Sequence, residues 1–395
     1  MSNRPIYLDY QATTPVDRSV LEAMLPFFTE VFGNAHSGEH PFAIEASDAI
    51  EIARRQVADL IGAQRREIVF TSGATEANNL LIAGGTRAMA RHGRNRLVTL
   101  ETEHKSVLEV ATGLAEEGFD IRVLPVESDG IVDLDRMAAA IDDSTAIVSV
   151  MAANNEIGVI QPLAAIGKMC RAAGAGFHVD AAQAAGKIPL NVLDLSIDLM
   201  SLSAHKFYGP KGVGAAFISR KAPSRPLPIS RGGGQENGLR PGTLPTALCV
   251  GMGAACELAA LKIDHEAVQL IALRDRFLAH LVAADLTFDV NGDLTHRLPG
   301  NLNVTFLGVD AEALLMTIRN QVAAASGSAC TAQSLDPSYV VQALGFGDAR
   351  AEGAVRFGFG RMTTVAEVDT AAAAVIQAVR NLRRVSYAPE RAISA

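Results

Sequence analysis

Cysteine is scarce in this chain: its 395 residues contain four. So few thiols in so long a chain make no disulfide framework, and the spacing of Cys170, Cys249, Cys256 and Cys330 matches no zinc-binding pattern. Basic runs are short and the net charge is −8, which argues against nucleic acid as a direct partner. No uninterrupted apolar stretch approaches the ~20 residues that span a bilayer. The opening MSNRPIYLDYQATTPVD lacks the apolar core of a signal peptide. P-loop and Rossmann glycine fingerprints are missing, as are internal repeats and low-complexity tracts beyond a general richness in Ala. These absences point to a cytoplasmic, reducing setting with no membrane, no nucleic acid and no metal centre.

What is present is ordinary for a globular protein, with 49% apolar and 20% charged residues. Length alone allows two domains. After an extended arm over 6–15, helical patterns cover 18–31 and 46–61. Short apolar runs suited to buried strands then recur at 68–70, 97–100, 121–126, 147–150, 177–179, 199–202 and 214–218, most of them separated by Ala-rich helical segments. That alternation argues for an α/β fold with a mainly parallel sheet covered on both faces. A Gly-, Pro- and Arg-dense stretch over 219–245 reads as a long irregular segment, and a long helix starts near Thr246 and continues past Leu261. The remainder, with strands at 302–306 and 354–359, reads as a smaller α+β unit. The expected division is 16–261 for the large domain and 1–15 with 262–395 for the small one.

Polar chemistry collects where the apolar runs end, the place at which parallel α/β sheets carry their sites. Asp180 closes one run and Gln183 follows it; Ser203, His205 and Lys206 close another. One consistent reading is a pyridoxal-phosphate site, with Lys206 forming the covalent link, Asp180 pairing with the ring nitrogen, and Ser203 and His205 holding phosphate. The plainer reading makes Lys206 and Lys211 solvated residues beside a Gly/Pro turn. IVFTSGATEANNLLIAG runs from strand through turn to helix, so Ala74 and Thr75 stand where backbone N–H groups favour a phosphate, or simply follow an ordinary N-cap. His104 sits at another strand end and is open to a structural role; Asn154 and Asn155 are open to being a turn. Arg356 lies inside an apolar run and must find an anion, either a ligand carboxylate or a structural salt bridge. Cys170, Cys249 and Cys256 lie in helical Ala-rich segments and read as packing residues, whereas SGSACTAQS places Cys330 on a loop.

Taken in order, TSGATE, the His after LVTLETE, NNEIG, HVDAAQAAGK, SAHKFYGPKG, GGGQENGLRPGT, SGSACT and VRFGFGR resemble the pyridoxal-phosphate-dependent cysteine desulfurases. These are fold type I enzymes of the class V aminotransferase superfamily, and the housekeeping and nitrogen-fixation branch fits best. The resemblance covers nearly the whole chain. It implies a homodimer in which Lys206 carries the cofactor, His104 stacks on its ring and handles protons, Asp180 holds the ring nitrogen and Gln183 contacts the ring hydroxyl. Ala74, Thr75, Ser203 and His205 would cradle the phosphate, with Thr243 reaching in from the partner subunit. Asn155 and Arg356 would bind the carboxylate of L-cysteine. Cys330 would be the nucleophile that takes sulfur as a persulfide and passes it to an acceptor, such as an iron–sulfur scaffold protein.

The chain departs from the family pattern at Ala204, where Gly is usual, after Asn34, where Pro is common, and at Ala324 and Ala325, where Ser is frequent. It closes on VSYAPERAISA without the tail that housekeeping members use on their scaffold, which leaves the acceptor open. A different class V activity (aminotransferase, selenocysteine lyase or kynureninase-like hydrolase) is the rival among enzymes; transamination needs no thiol, so Cys330 argues against it. A catalytically silent scaffold is the rival outside enzymes. Retention of Lys206, His104, Asp180 and Arg356 argues against that.

Overall fold

The computed structural model describes residues 4–326 and 337–386. Each of the seven apolar runs is a strand, and together they form one sheet. Its order is Ile68–Thr71, Gly214–Ile218, Leu199–Ser203, Gly176–Asp180, Thr145–Met151, Arg96–Leu100 and Asp120–Leu124. Neighbouring strands are parallel except at Gly214–Ile218, which runs antiparallel to both of its neighbours. Strands such as TAIVSVM, GFHVD and LMSLS are buried at every residue, as a sheet covered on both faces requires. The edge strand DIRVL is partly exposed, and it carries two charged residues, Asp120 and Arg122. The fold is α/β with a large, mainly parallel sheet.

Two helical boundaries differ from expectation for local reasons. The helix expected over 18–31 is two, Arg18–Met24 and Pro26–Thr29, because Pro26 has no N–H to continue the first and stands at the first turn of the second. The helix expected from 46 begins earlier, as Pro41–Leu60, where Pro41 opens the helix and His40 caps it by accepting from Ala43 N. A further feature has no sequence counterpart. From Ala74 to Ala90 the chain is one continuous rod, α-helical over Ala74–Asn78 and Gly84–Ala90 but widened to π geometry over Asn79–Ala83.

The helix Thr246–Ala283 runs straight through the expected boundary at 261/262. Met252 and Cys256 enter the core of the large sheet, while Leu273 and Phe277 enter a second core. Among the described residues it is the helix long and apolar enough in composition to cross a membrane; half of that apolar window is buried in these two cores. The second core covers an antiparallel sheet of Phe288–Val290, Asn301–Phe306 and Ala354–Gly358, backed by the helix Val365–Ser386. The N-terminal arm belongs to this part by its pairing. Ile6–Tyr7 runs parallel to Val322–Ala323, and Asp9 bridges to Gly358.

Candidate active site

A cavity of about 570 Å³ opens at the carboxyl ends of the parallel strands, within the usual size for small-molecule sites. Ala74, Thr75, His104, Asn155, Asp180, Gln183, Ser203, His205, Lys206 and Arg356 all line it. They arrive from five strand ends of the large sheet and one strand of the small sheet. Thr243 does not line this cavity and is exposed on the irregular segment. Cys330 lies outside the described residues.

Lys206 stands on the short turn Ala204–Lys206 that follows Leu199–Ser203. Its Nζ donates to the carbonyls of Gln11 at 2.8 Å and Ala12 at 2.9 Å, so the N-terminal arm positions the amine. The arm is itself tied to the same turn, since Thr14 N donates to His205 O at 2.9 Å and Thr13 Oγ1 meets His205 Nδ1 at 3.0 Å. Burial, reinforced by the charges of Lys206, Lys211 and Lys187, pushes the His205 imidazole down to about 4. His205 is therefore neutral near pH 7 and offers a hydrogen bond rather than a charge.

Asp180 ends the strand Gly176–Asp180 and is buried. Its Oδ1 accepts from Ala182 N at 2.9 Å and its Oδ2 from Asn78 Nδ2 at 2.8 Å. Gln183 is oriented from both ends of its amide. Nε2 donates to Gln11 O at 2.8 Å, and Oε1 accepts from Lys187 Nζ at 3.0 Å. Burial, then the charges of Lys206 and Arg356, push that lysine down to about 7. At the other end of the cavity, the helix beginning at Ala74 presents its first-turn N–H groups. Gly73 precedes it at φ 155°, a conformation that favours glycine, and a Cβ there would sit 3.8 Å from Ser203 Oγ. Helix start and Ser203 hydroxyl thus flank one small space suited to an anion.

Of the two possibilities left open by its sequence, Arg356 takes the structural salt bridge, and it keeps one nitrogen unpaired. It forms a buried salt bridge to Asp9 at 2.7 Å through Nη2, and Nη1 donates to Asn155 O at 2.8 Å. Its Nε, and the Oδ1 of Asn155, have no hydrogen-bond partner among the described residues. A buried donor and a buried acceptor left unpaired at a cavity wall are the mark of a ligand site.

Several contributors carry no readable sequence signal. The Gln11 and Ala12 carbonyls are backbone groups, and Asn78 sits in TEANNLL like any helix residue. Glu103 is fully buried, accepts from Met151 N at 2.7 Å through Oε1, and burial raises its carboxyl well above the usual range. The cue for Glu103 was available, since a carboxylate after the run LVTLET must either pair or stay protonated. Cys170, Cys249 and Cys256 are buried as expected, and burial drives the thiols of Cys170 and Cys249 up to about 12.

An amine, a buried carboxyl, an anion seat and an unpaired guanidinium nitrogen share one cavity. Such a set can hold a phosphorylated ring and the carboxylate of an amino acid. Comparison with known proteins agrees with the geometry. A family model described as aminotransferase class-V matches residues 6–370. The "Cysteine desulfurase IscS" of Anaeromyxobacter sp. is 51% identical over 382 residues, covering 97% of this chain and 94% of that protein. The "Cysteine desulfurase" of Homo sapiens is 49% identical over 383 residues, covering 97% of this chain and 83% of that protein. A solved "NifS-like protein" superposes with a TM-score of 0.88 at 33% identity, over 96% of this chain and 100% of that one.

Proposed function

The chain belongs to the class-V aminotransferase family, and on that footing we propose that it is a cysteine desulfurase. It takes sulfur from L-cysteine, releases L-alanine, and holds the sulfur as a persulfide on Cys330 for transfer. The observation that carries this reading is the meeting of Lys206, Asp180 and Arg356 in one cavity, in a chain about half identical to proteins of that name.

The residues fit pyridoxal 5'-phosphate. Asp180 would hold the ring nitrogen, Gln183 the ring hydroxyl, and His104 the ring face. Ala74, Thr75, Ser203 and the neutral His205 supply donors for phosphate. When bound, the cofactor supplies an electron sink at the substrate's Cα. Arg356 and the Asn155 amide N–H would orient the substrate carboxylate. Lys206 Nζ would hold the cofactor and move the proton at Cα. The arm's two carbonyls define where that amine rests. The Cys330 thiolate attacks the substrate sulfur and takes it, the C–S bond breaks, and protonation of the remaining carbon skeleton gives alanine.

The working form we propose is a cytoplasmic homodimer in which Thr243 of each chain completes the site of the other. Its exposure, and the exposed Phe28, Phe32 and Phe42, support a covering partner. The acceptor is a sulfur-carrier or iron–sulfur scaffold protein.

The test is alanine and sulfide release from L-cysteine in the presence of reductant, in wild type and Cys330→Ala. Equal amounts, lost in the variant while the cofactor absorbance persists, support the reading. A fully active variant moves the assignment to a lyase that releases sulfur directly.

A further inference from the structure

His104 and Asp180 stand at different strand ends, yet two side chains with no part in the reaction above connect them. Asn78 Nδ2 donates to Asp180 Oδ2 at 2.8 Å and to Ser106 Oγ at 2.9 Å. Ser106 Oγ lies 2.8 Å from His104 Nδ1, and the Ser106 backbone N–H donates to the same Nδ1 at 3.1 Å. The direction of each bond follows from the groups involved. Asn78 spends both amide protons, one on the Asp180 carboxyl and one on Ser106. The Ser106 hydroxyl therefore accepts from Asn78, and its single proton is left for His104 Nδ1. A backbone N–H can only donate. Nδ1 thus faces two donors and must present its lone pair.

A second circumstance points the same way. His104 is the N-cap of the helix Lys105–Glu116, whose positive end disfavours an imidazolium. Asn78 for its part is completely buried, at the last residue before the helix widens into π geometry, and its Oδ1 has no partner among the described residues. The amide is thus held in place by its N–H groups, although a buried acceptor goes unpaired.

We propose that Asn78 and Ser106 are positioning residues that fix His104 as the neutral tautomer protonated at Nε2 and tie its orientation to Asp180. The role of that tautomer in turnover rests on the cysteine desulfurase reading; the tautomer itself follows from contacts within the chain. His104 enters the reaction with a proton at Nε2 to give, and can receive one there only after giving it.

Ring-nitrogen NMR of the holoenzyme carrying isotope-labelled histidine tests this, with His104 assigned by difference against His104→Gln. The expected result at neutral pH is protonated Nε2 and unprotonated Nδ1. In Ser106→Ala and Asn78→Ala the ratio of the two tautomers should fall by about tenfold, the equivalent of one hydrogen bond, and Ser106→Thr should restore it. Turnover should follow, with kcat in Ser106→Ala lower by roughly tenfold and KM for L-cysteine little changed. A proton on Nδ1 in the wild type, a charged ring at neutral pH, or an unchanged tautomer in both alanine variants overturns the proposal. A wild type that fails to process L-cysteine sinks the functional reading instead. In that case the same spectrum, recorded on the protein as purified, still decides the tautomer.

Discussion

Arg54 and Glu236 face each other through two buried hydrogen bonds, Nη1 to Oε2 at 2.8 Å and Nη2 to Oε1 at 2.7 Å. Glu236 Oε2 also accepts from Phe70 N at 2.7 Å, and Arg54 Nη1 donates to Ile68 O at 2.8 Å. The pair therefore fastens the irregular 219–245 segment to the helix Pro41–Leu60 and to the strand that leads into Ala74. Further along, Arg240 binds Glu76 at 3.0 Å, on the cavity wall.

Glu236→Ala leaves the buried Arg54 guanidinium with only the partly exposed Glu51 on its Nε at 2.9 Å, and losing the two-bonded partner costs about 3 kcal/mol. Urea unfolding should show that loss. Arg54→Met combined with Glu236→Leu should recover much of it, because no charge then remains buried. A single variant as stable as wild type would show that the segment is held by other contacts.

Arg356→Lys should raise KM for L-cysteine by about 10- to 100-fold, with a smaller effect on kcat. An ammonium cannot serve Asp9, the Asn155 carbonyl and a substrate carboxylate from one planar fork. Steady-state kinetics separates the two constants, and an unchanged KM would remove Arg356 from substrate binding.

His178 gives the stability a defined acid limb. It is completely buried between Ser149 Oγ at 2.9 Å and Ser201 Oγ at 3.0 Å, and burial pushes its imidazole down to about 4 from an ordinary 6.5. Between those values the unfolded chain takes a proton that the native chain refuses, so stability falls as pH drops from 6.5 toward 4. The contribution lost is about 3 kcal/mol, and it is fully present above pH 6.5. In His178→Gln the urea midpoint should decline less across that range than in wild type. Parallel declines would assign the acid limb to other groups.

Thiol accessibility divides the cysteines. Cys170, Cys249 and Cys256 are buried, and burial raises all three thiols far above neutral pH. In the folded protein no more than one of the four thiols should react quickly with a disulfide reagent, and that reaction should disappear in Cys330→Ala. All four should react in denaturant. Fast reaction of two or more would contradict the burial.

The large sheet was readable because its strands are buried on both faces and so appear as unbroken apolar runs; the ends of those runs also located Asp180, Ser203 and Lys206. Other parts had no such trace. Lys206 is seated by backbone carbonyls, which any residue at Gln11 and Ala12 would supply. The orientation of Asn78 depends on a π turn that no residue pattern announces. Pro26 does carry a signal, a missing N–H in mid-helix, but the apolar periodicity continues across it and masks the break. The Thr246–Ala283 helix hid the junction of the two cores, because its apolar residues serve one core and then the other without a break in pattern.

The docking of the arm also sets an order of events during synthesis. Ile6 and Leu8 are bonded to the backbone of Gln321 and Ala323, and Tyr10 to Gly358. The carbonyls that seat Lys206 belong to Gln11 and Ala12, made before the lysine, yet part of their own seat is Gly358, made well after it. A nascent chain halted before residue 354 has the lysine turn and the Val322–Ala323 partner of the arm, but lacks the Gly358 backbone that pairs with Leu8 and Tyr10 next to Gln11. Translation itself therefore delays the moment at which this enzyme can become reactive.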